Sequence, residues 1–230
     1  MAIFRKFCIF DFETDGTNPD VCEPVQLAAV IINPYKLEIV PDSQFQIVMQ
    51  PPLLAESVDK NMQQQYIDSH MDTIAWHANN YHVKPEEIIE RWRNGTEQSR
   101  AWQLFVQYCM LHNPKQNMGT AVVPGGANIR RFDLRIIDRL KDKYNTKKWL
   151  FWPRDVLDIQ DLAFYWFESL REPRSYNMDT LRQFLGLSTA GGHDAMKDVL
   201  DTTQMIIRFL KFMRNIAQNQ KFKGSFKPQK

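Results

Sequence analysis

The chain has 230 residues, of which 43% are hydrophobic, 24% charged and 12% aromatic. That length buries a core without disulfides or a structural metal, and 9 Gly, 12 Pro and ample Phe, Trp, Ile and Leu exclude collagen-like, coiled-coil and disordered classes. The net charge of +2, from 29 basic and 27 acidic residues, neither demands nor excludes nucleic acid, so charge distribution has to decide.

Cys8, Cys22 and Cys109 are widely spaced, with no Cys-x-x-Cys pair or Cys/His cluster, which argues against a zinc site. Reduced cysteines suit a cytosolic compartment. The opening Met-Ala-Ile-Phe-Arg-Lys lacks the apolar stretch of a signal peptide, and no run approaches the roughly 18 apolar residues of a membrane span. The expectation is a cytoplasmic protein without membrane contact.

Residues 5–12 form a short apolar run that predicts a buried strand. After a polar loop, residues 25–32 predict a second buried strand, and Asn33-Pro34 marks a turn. Residues 37–40 and 44–49 alternate as an edge-like third strand does. Residues 51–114 change character. They are rich in Gln, Glu and Met, with helical spacing at Ile88, Ile89 and Trp92 and again at Trp102, Phe105, Val106 and Cys109. This stretch predicts several helices, whose length does not force a second core. Residues 119–127 predict a strand ending in Gly125-Gly126, and residues 130–144 a helix on Phe132, Ile136, Ile137 and Leu140. A short strand near 155–158, a helix to about 170, a helix around 179–185 and a last helix from near Asp194 follow. The order is that of a mixed-sheet α/β protein. One domain is expected over residues 1–214, with the helical 51–114 region inside it and a basic, flexible tail at 215–230. Lys221 to Lys230 holds four lysines and no acid, which fits either a solubilising tail or a nucleic-acid-binding segment.

The chemistry-bearing residues cluster at the ends of these elements. Asp11 and Glu13 close the first strand, and strand alternation points both to one side while Phe12 points to the other. Two acids so placed repel each other and need compensation, which a divalent cation with oxygen ligands provides. On its own the pair also fits the start of a solvated loop. Asp133 stands just inside a helix that follows a Gly-rich strand end, with Asn128 at that strand end. Alone, Asp133 also fits an ordinary first-turn acid on a helix dipole. His193 and Asp198, five apart, would lie about 140° around a single helix. They reach one site only if His193 is on the loop and Asp198 one turn into the helix, an arrangement that Asp194 as N-cap produces. Four acids and a histidine from three segments form the set that two-metal phosphodiester hydrolysis uses.

These segments carry a resemblance. Asp11-Phe12-Glu13-Thr14, Asn128 through Asp133, and His193-Asp194-Ala195-Met196-Lys197-Asp198 resemble the three motifs of the DEDDh, or DnaQ-like, 3′–5′ exonucleases. Within that group the chain is most similar to the nuclease domain of bacterial exodeoxyribonuclease I. Residues 12–19, Glu23 to Ala29, and Asp155 to Asp158 add to this likeness, which runs over about residues 5–214 and is weak in 51–114. It implies a ribonuclease H-like fold, a mixed five-stranded sheet flanked by helices. It implies that Asp11 bridges two divalent cations, Mg²⁺ with Mn²⁺ as a substitute, that Glu13 and Asp198 complete one metal site, and that Asp133 holds the second through water. His193 becomes the general base, and Thr14 with its neighbouring backbone, and Asn128, seat the 3′-terminal nucleotide. The expected substrate is the 3′ end of single-stranded DNA. RNA or short oligoribonucleotides, and a proofreading role beside a DNA polymerase, are the alternatives. Exodeoxyribonuclease I continues into further domains that wrap DNA, so processivity is not implied for this chain.

For substrate handling, Trp149, Phe151 and Trp152 among Lys147, Lys148 and Arg154 are the best aromatic-basic interleave, and they fit a core-edge strand as well. Trp92 and Trp102 read as core. Arg130 and Arg131 read as phosphate contacts or as an exposed helix face.

Overall fold

The computed structural model describes residues 5–168, 172–173, 175–189 and 194–220. The central strands are β1 (Phe7–Thr14), β2 (Pro24–Asn33) and β4 (Phe45–Gln50). The short β6 (Val123–Gly126) and β7 (Leu157–Asp158) complete the five expected strands. Two-residue strands, β3 (Glu38–Ile39) and β5 (Thr96–Glu97), enlarge the sheet to seven. The order is β5-β4-β2-β1-β6-β7, with β3 on β2. The β1–β2 and β2–β4 pairs are antiparallel, and β1–β6 and β6–β7 are parallel.

Alternation along β1 sets the two layers. Cys8, Phe10 and Phe12 face a core shared with Trp102 and Phe105 of α4 (Gln98–Leu111) and with Ile136, Ile137 and Leu140 of α5 (Asp133–Lys143). Ile9 faces the other way, toward α6 (Ile159–Glu168), α7 (Met178–Phe184) and α8 (Ala195–Gln220), where Phe167, Leu181, Val199 and Ile206 are buried. Phe105 is fully buried, and deleting such a ring costs about 3–5 kcal/mol. α8 continues through residues 215–220, into the stretch expected as tail, because its apolar stripe carries the helix past Met213. Residues 221–230 lie outside the described residues.

The 51–114 region divides in two. α4 belongs to the main core. The preceding α1 (Lys60–Ser69), α2 (Met71–Tyr81) and α3 (Pro85–Arg93) form a satellite cluster of Leu54, Tyr66, Ile67, Ile74, Ala78, Ile88 and Trp92, anchored to the sheet through Val25. Asp59 caps α1 by accepting from Asn61 N at 2.9 Å, and His82 ends α2 in the left-handed conformation. Among the described residues no helix is long and apolar enough to cross a membrane.

Candidate active site

The site begins where β1 outlasts β6. Their pairing ends at Ile9 opposite Gly125, so residues 11–14 run on with β2 on one side only. The glycines permit this close approach: a Cβ on Gly126 would lie 2.9 Å from the Phe10 carbonyl oxygen, and one on Gly125 within 2.5 Å of Ile9 Cδ1. Beyond Ile9, the same alternation turns Asp11 and Glu13 toward the face that α8 crosses. Asp194 caps α8, accepting from Lys197 N at 3.1 Å through Oδ1, and its carbonyl accepts from Asp198 N at 2.9 Å. Asp198 is thereby one turn into the helix. Carboxylate oxygens of Asp11, Glu13 and Asp198 all lie within 4.8 Å of one another. Asp133, only 2% exposed at the start of α5, approaches from the opposite layer, and its Oδ1 accepts from Phe12 N at 3.0 Å, between the two β1 acids.

Burial, with the neighbouring acids, raises Asp11 well above the usual carboxylate range; Asp133, Glu13 and Asp198 add to the rise and Arg182 opposes it. Glu13 is raised in the same way by burial, Asp198, Asp194 and Asp133, against the field of Arg91. Burial pushes Asp133 up to about 7 despite the amide that Phe12 donates to it. A cluster of hard oxygen donors that resist sharing their charge fits divalent cations of the Mg²⁺ type. Asp198 differs from its neighbours. The Arg182 guanidinium donates to it at 2.5 Å, to Asp201 at 2.8 Å and to Asp179 at 2.9 Å.

The helices α1 and α2 grip the strand end. Tyr66 donates to Asp15 Oδ2 at 2.6 Å, and His77 Nε2 lies 2.9 Å from the Thr14 carbonyl oxygen. Tyr81 donates to Gln26 Oε1 at 2.9 Å, and Gln26, opposite Glu13 in the β1–β2 register, donates in turn to Asp194 at 3.3 Å. A groove of about 430 Å³ borders Glu13 between Thr14, Asp72, Trp76 and Phe132. A larger groove of about 820 Å³, among Gln50, Arg93, Glu97 and Lys143, does not reach the carboxylates.

The structure thus brings Asp11, Glu13, Asp133, Asp198 and Thr14 together. Asn128 stands at the turn after β6 in the left-handed conformation (φ 55°), its amide bound to Asp158 Oδ1 at 3.0 Å. His193 lies outside the described residues. The Trp149–Trp152 stretch is at the other end of the sheet. Phe151 pairs with Val122, before β6 begins, and stacks on Phe10 with ring centroids 5.1 Å apart, so the core-edge reading holds there. Arg130 faces solvent beside Asp161. Arg182, Tyr81, Gln26 and Arg91 were not legible as site residues. Asp194 was legible as an N-cap.

No protein-family model matches the chain. Its fold, a mixed sheet flanked by helices, is shared with solved exonuclease structures of the ribonuclease H-like fold. Among solved structures, the crystal structure of cell-death related nuclease 4 (CRN-4) superposes with a TM-score of 0.62 at 16% identity, over 91% of this chain and 65% of that one. The zinc-bound E. coli ExoI–ssDNA complex superposes with a TM-score of 0.62 at 17% identity, over 96% of this chain and 45% of that one. Among curated proteins, the PolC-type DNA polymerase III of Thermotoga petrophila is 24% identical over 211 residues, 92% of this chain and 12% of the polymerase. The chain therefore spans less than half of exonuclease I and a small part of the polymerase.

Proposed function

We propose that the chain is a metal-dependent 3′–5′ exonuclease that releases nucleoside monophosphates from single-stranded DNA. The observation that carries this reading is the convergence of Asp11, Glu13 and Asp198 oxygens within 4.8 Å at the free end of β1, with Asp133 beside them. The fold shared with an exonuclease I–ssDNA complex supports it. In this reading Asp11, Glu13 and Asp198 would hold one divalent cation, and Asp11 with Asp133 would hold a second. Mg²⁺, with Mn²⁺ as a substitute, supplies stabilisation of the attacking and leaving oxygens when bound. His193, next to Asp194 in the sequence, would take the proton of the attacking water, as an imidazole does near neutral pH. Thr14 and the Trp76–Phe132 groove receive the terminal nucleotide, and Asn128 is a further substrate contact in this reading. In this reading the exonuclease unit includes the whole of α8, to residue 220, and the protein acts in the cytoplasm.

A proofreading role beside a DNA polymerase is the second reading, favoured by the match of nearly the whole chain to part of a PolC-type polymerase. One experiment addresses both readings. Single-stranded DNA and RNA of the same sequence, labelled at the 5′ end, are incubated with Mg²⁺ or EDTA, with Asp11→Asn protein as control. A 3′-shortening DNA ladder, absent with EDTA and in the variant, is expected. Faster decay of RNA moves the reading to an RNA exonuclease. Cleavage that begins only when a polymerase is added favours the proofreading role, and intact strands under every condition overturn the proposal.

A further inference from the structure

Two arginines border the carboxylate centre, and their surroundings differ. Arg182 is 1% exposed and tied to three acids, so it cannot reach a ligand. Arg91, on α3, is half-buried, and among the described residues no carboxylate stands within ion-pair distance of it. Its guanidinium carbon lies 4.7 Å over the Tyr81 ring. That ring is fixed in turn, because its hydroxyl donates to buried Gln26, the partner of Glu13 across the strands and a donor to Asp194 at the head of α8. The guanidinium also donates a hydrogen bond to the Tyr81 hydroxyl; a guanidinium has five N–H donors, and those that Tyr81 does not engage match phosphate oxygens. The position also addresses an electrostatic difficulty. A cluster of buried acids repels a polyanion, and cations at the carboxylates offset this only at the bond they hold.

We propose that Arg91, held on the Tyr81 ring, binds a phosphate of the substrate strand beside the carboxylate centre, so that the inserted helices supply part of the nucleic-acid site. This rests on the exonuclease reading for the identity of the strand. Tyr81 is a positioning residue. Its ring orients the guanidinium, and its bond to Gln26 sets where that guanidinium stands relative to Glu13.

The test is binding of a 5′-fluorescein oligothymidylate, followed by anisotropy in EDTA across a series of salt concentrations, with Mg²⁺-driven cleavage measured alongside. A phosphate contact to a single strand contributes about 0.7 to the slope of log affinity against log salt. Arg91→Ala is expected to weaken binding about tenfold and to lower that slope by about 0.7. Arg91→Lys, which keeps the charge, is expected to retain the slope. A wild-type slope in Arg91→Ala overturns the inference, even where affinity falls, because a residue that only supports the fold releases no counterion. If the wild-type protein cleaves DNA and the slope is unchanged, the inference alone fails. If it binds through Arg91 without cleaving, the exonuclease reading fails and the phosphate site stands. If it neither binds nor cleaves, both fail.

Discussion

Arg182 donates to Asp198 at 2.5 Å from a position where only 1% of its surface meets solvent. One member of the carboxylate cluster therefore carries its own counter-ion, while Asp11, two residues from Glu13 on the same face of β1, is surrounded mainly by other acids. The two aspartates belong to one proposed metal site and have opposite relations to the fold.

Neutralising each separates these relations. Asp11→Asn removes a source of repulsion and is expected to raise the melting temperature of the protein in EDTA. Asp198→Asn takes a carboxylate from buried Arg182 and is expected to lower stability by about 1–3 kcal/mol. Both are expected to reduce Mg²⁺-dependent cleavage by at least about a thousandfold. Thermal melts in EDTA, read beside the cleavage assay, check the pair. Shifts of the same sign in both variants would contradict it.

Removing the arginine is the harsher change. Arg182→Met removes the guanidinium that Asp198 and Asp201 share, with Lys197 still pairing Asp201 at 2.5 Å, and breaking a buried ion pair from one side costs about 3–5 kcal/mol. Urea denaturation of the metal-free protein is expected to show this loss with the slope unchanged. Adding Mg²⁺ is expected to recover part of it, because a cation at the carboxylates replaces some of the missing charge.

Asp133 makes a prediction about pH. Its folded-state pKa of about 7 lies above the ordinary 3.8, so the folded protein holds this proton more tightly than the unfolded chain. The stability associated with that proton is fully present below about pH 4 and is lost as pH rises through about 7. The full rise corresponds to about 4 kcal/mol. Metal-free protein is expected to melt at lower temperature at pH 8 than at pH 5 as far as this group is concerned. In Asp133→Asn, whose amide oxygen still accepts from Phe12 N, that pH dependence is expected to shrink. A pH profile of melting temperature for the two proteins measures the difference.

Two exposed tryptophans give a contrast of position. Trp76 lines the groove that borders Glu13, and aromatic stacking on a base is worth about 1–3 kcal/mol, so Trp76→Ala is expected to raise KM for short oligonucleotides about tenfold with a smaller change in kcat. Trp149 stands two residues before Phe151, whose bridge to Val122 lies at the end of the sheet where β1 begins, about 15 Å along the strand from Asp11, and Trp149→Ala is expected to leave both constants unchanged. Equal losses in the two variants would place substrate on the wrong end of the sheet.

The carboxylates were legible in the sequence because strand alternation and helix capping are local. Asp11 and Glu13 share a face by counting residues, and Asp194 announces a helix start that puts Asp198 a turn inside. The partners of these acids were not legible. Arg182 lies on a short helix between Leu181 and Gln183, and nothing in that segment separates a buried arginine from a solvated one. Tyr81 and Arg91 meet the centre through Gln26, 55 residues from Tyr81, a contact that only the packing of α2 and α3 against β2 creates. The Trp149–Trp152 stretch shows the converse. Its composition suits a nucleic-acid surface, yet parallel pairing at Val122 fixes it at the end of the sheet where β1 enters. The two-residue strand β5 had no periodicity long enough to detect, whereas β3 falls within residues 37–40, which were read together with 44–49 as one edge strand.

The single-sided pairing of β1 past Ile9 has a consequence for how variation acts on the site. Residues 11–14 present a stretch of peptide groups that no neighbouring strand occupies, one of them already used by Asp133. Peptide groups are the same whatever side chains they carry. A ligand held along that edge is therefore held by a surface that drift in sequence alters little. What drift can remove is the gap itself: a side chain at Gly126 meets the Phe10 carbonyl oxygen of β1 at 2.9 Å, and one at Gly125 meets Ile9 and Leu157, so substitution there pushes β6 off its neighbours. The tolerance of this site to substitution is thus expected to be lowest at two residues that have no functional group at all.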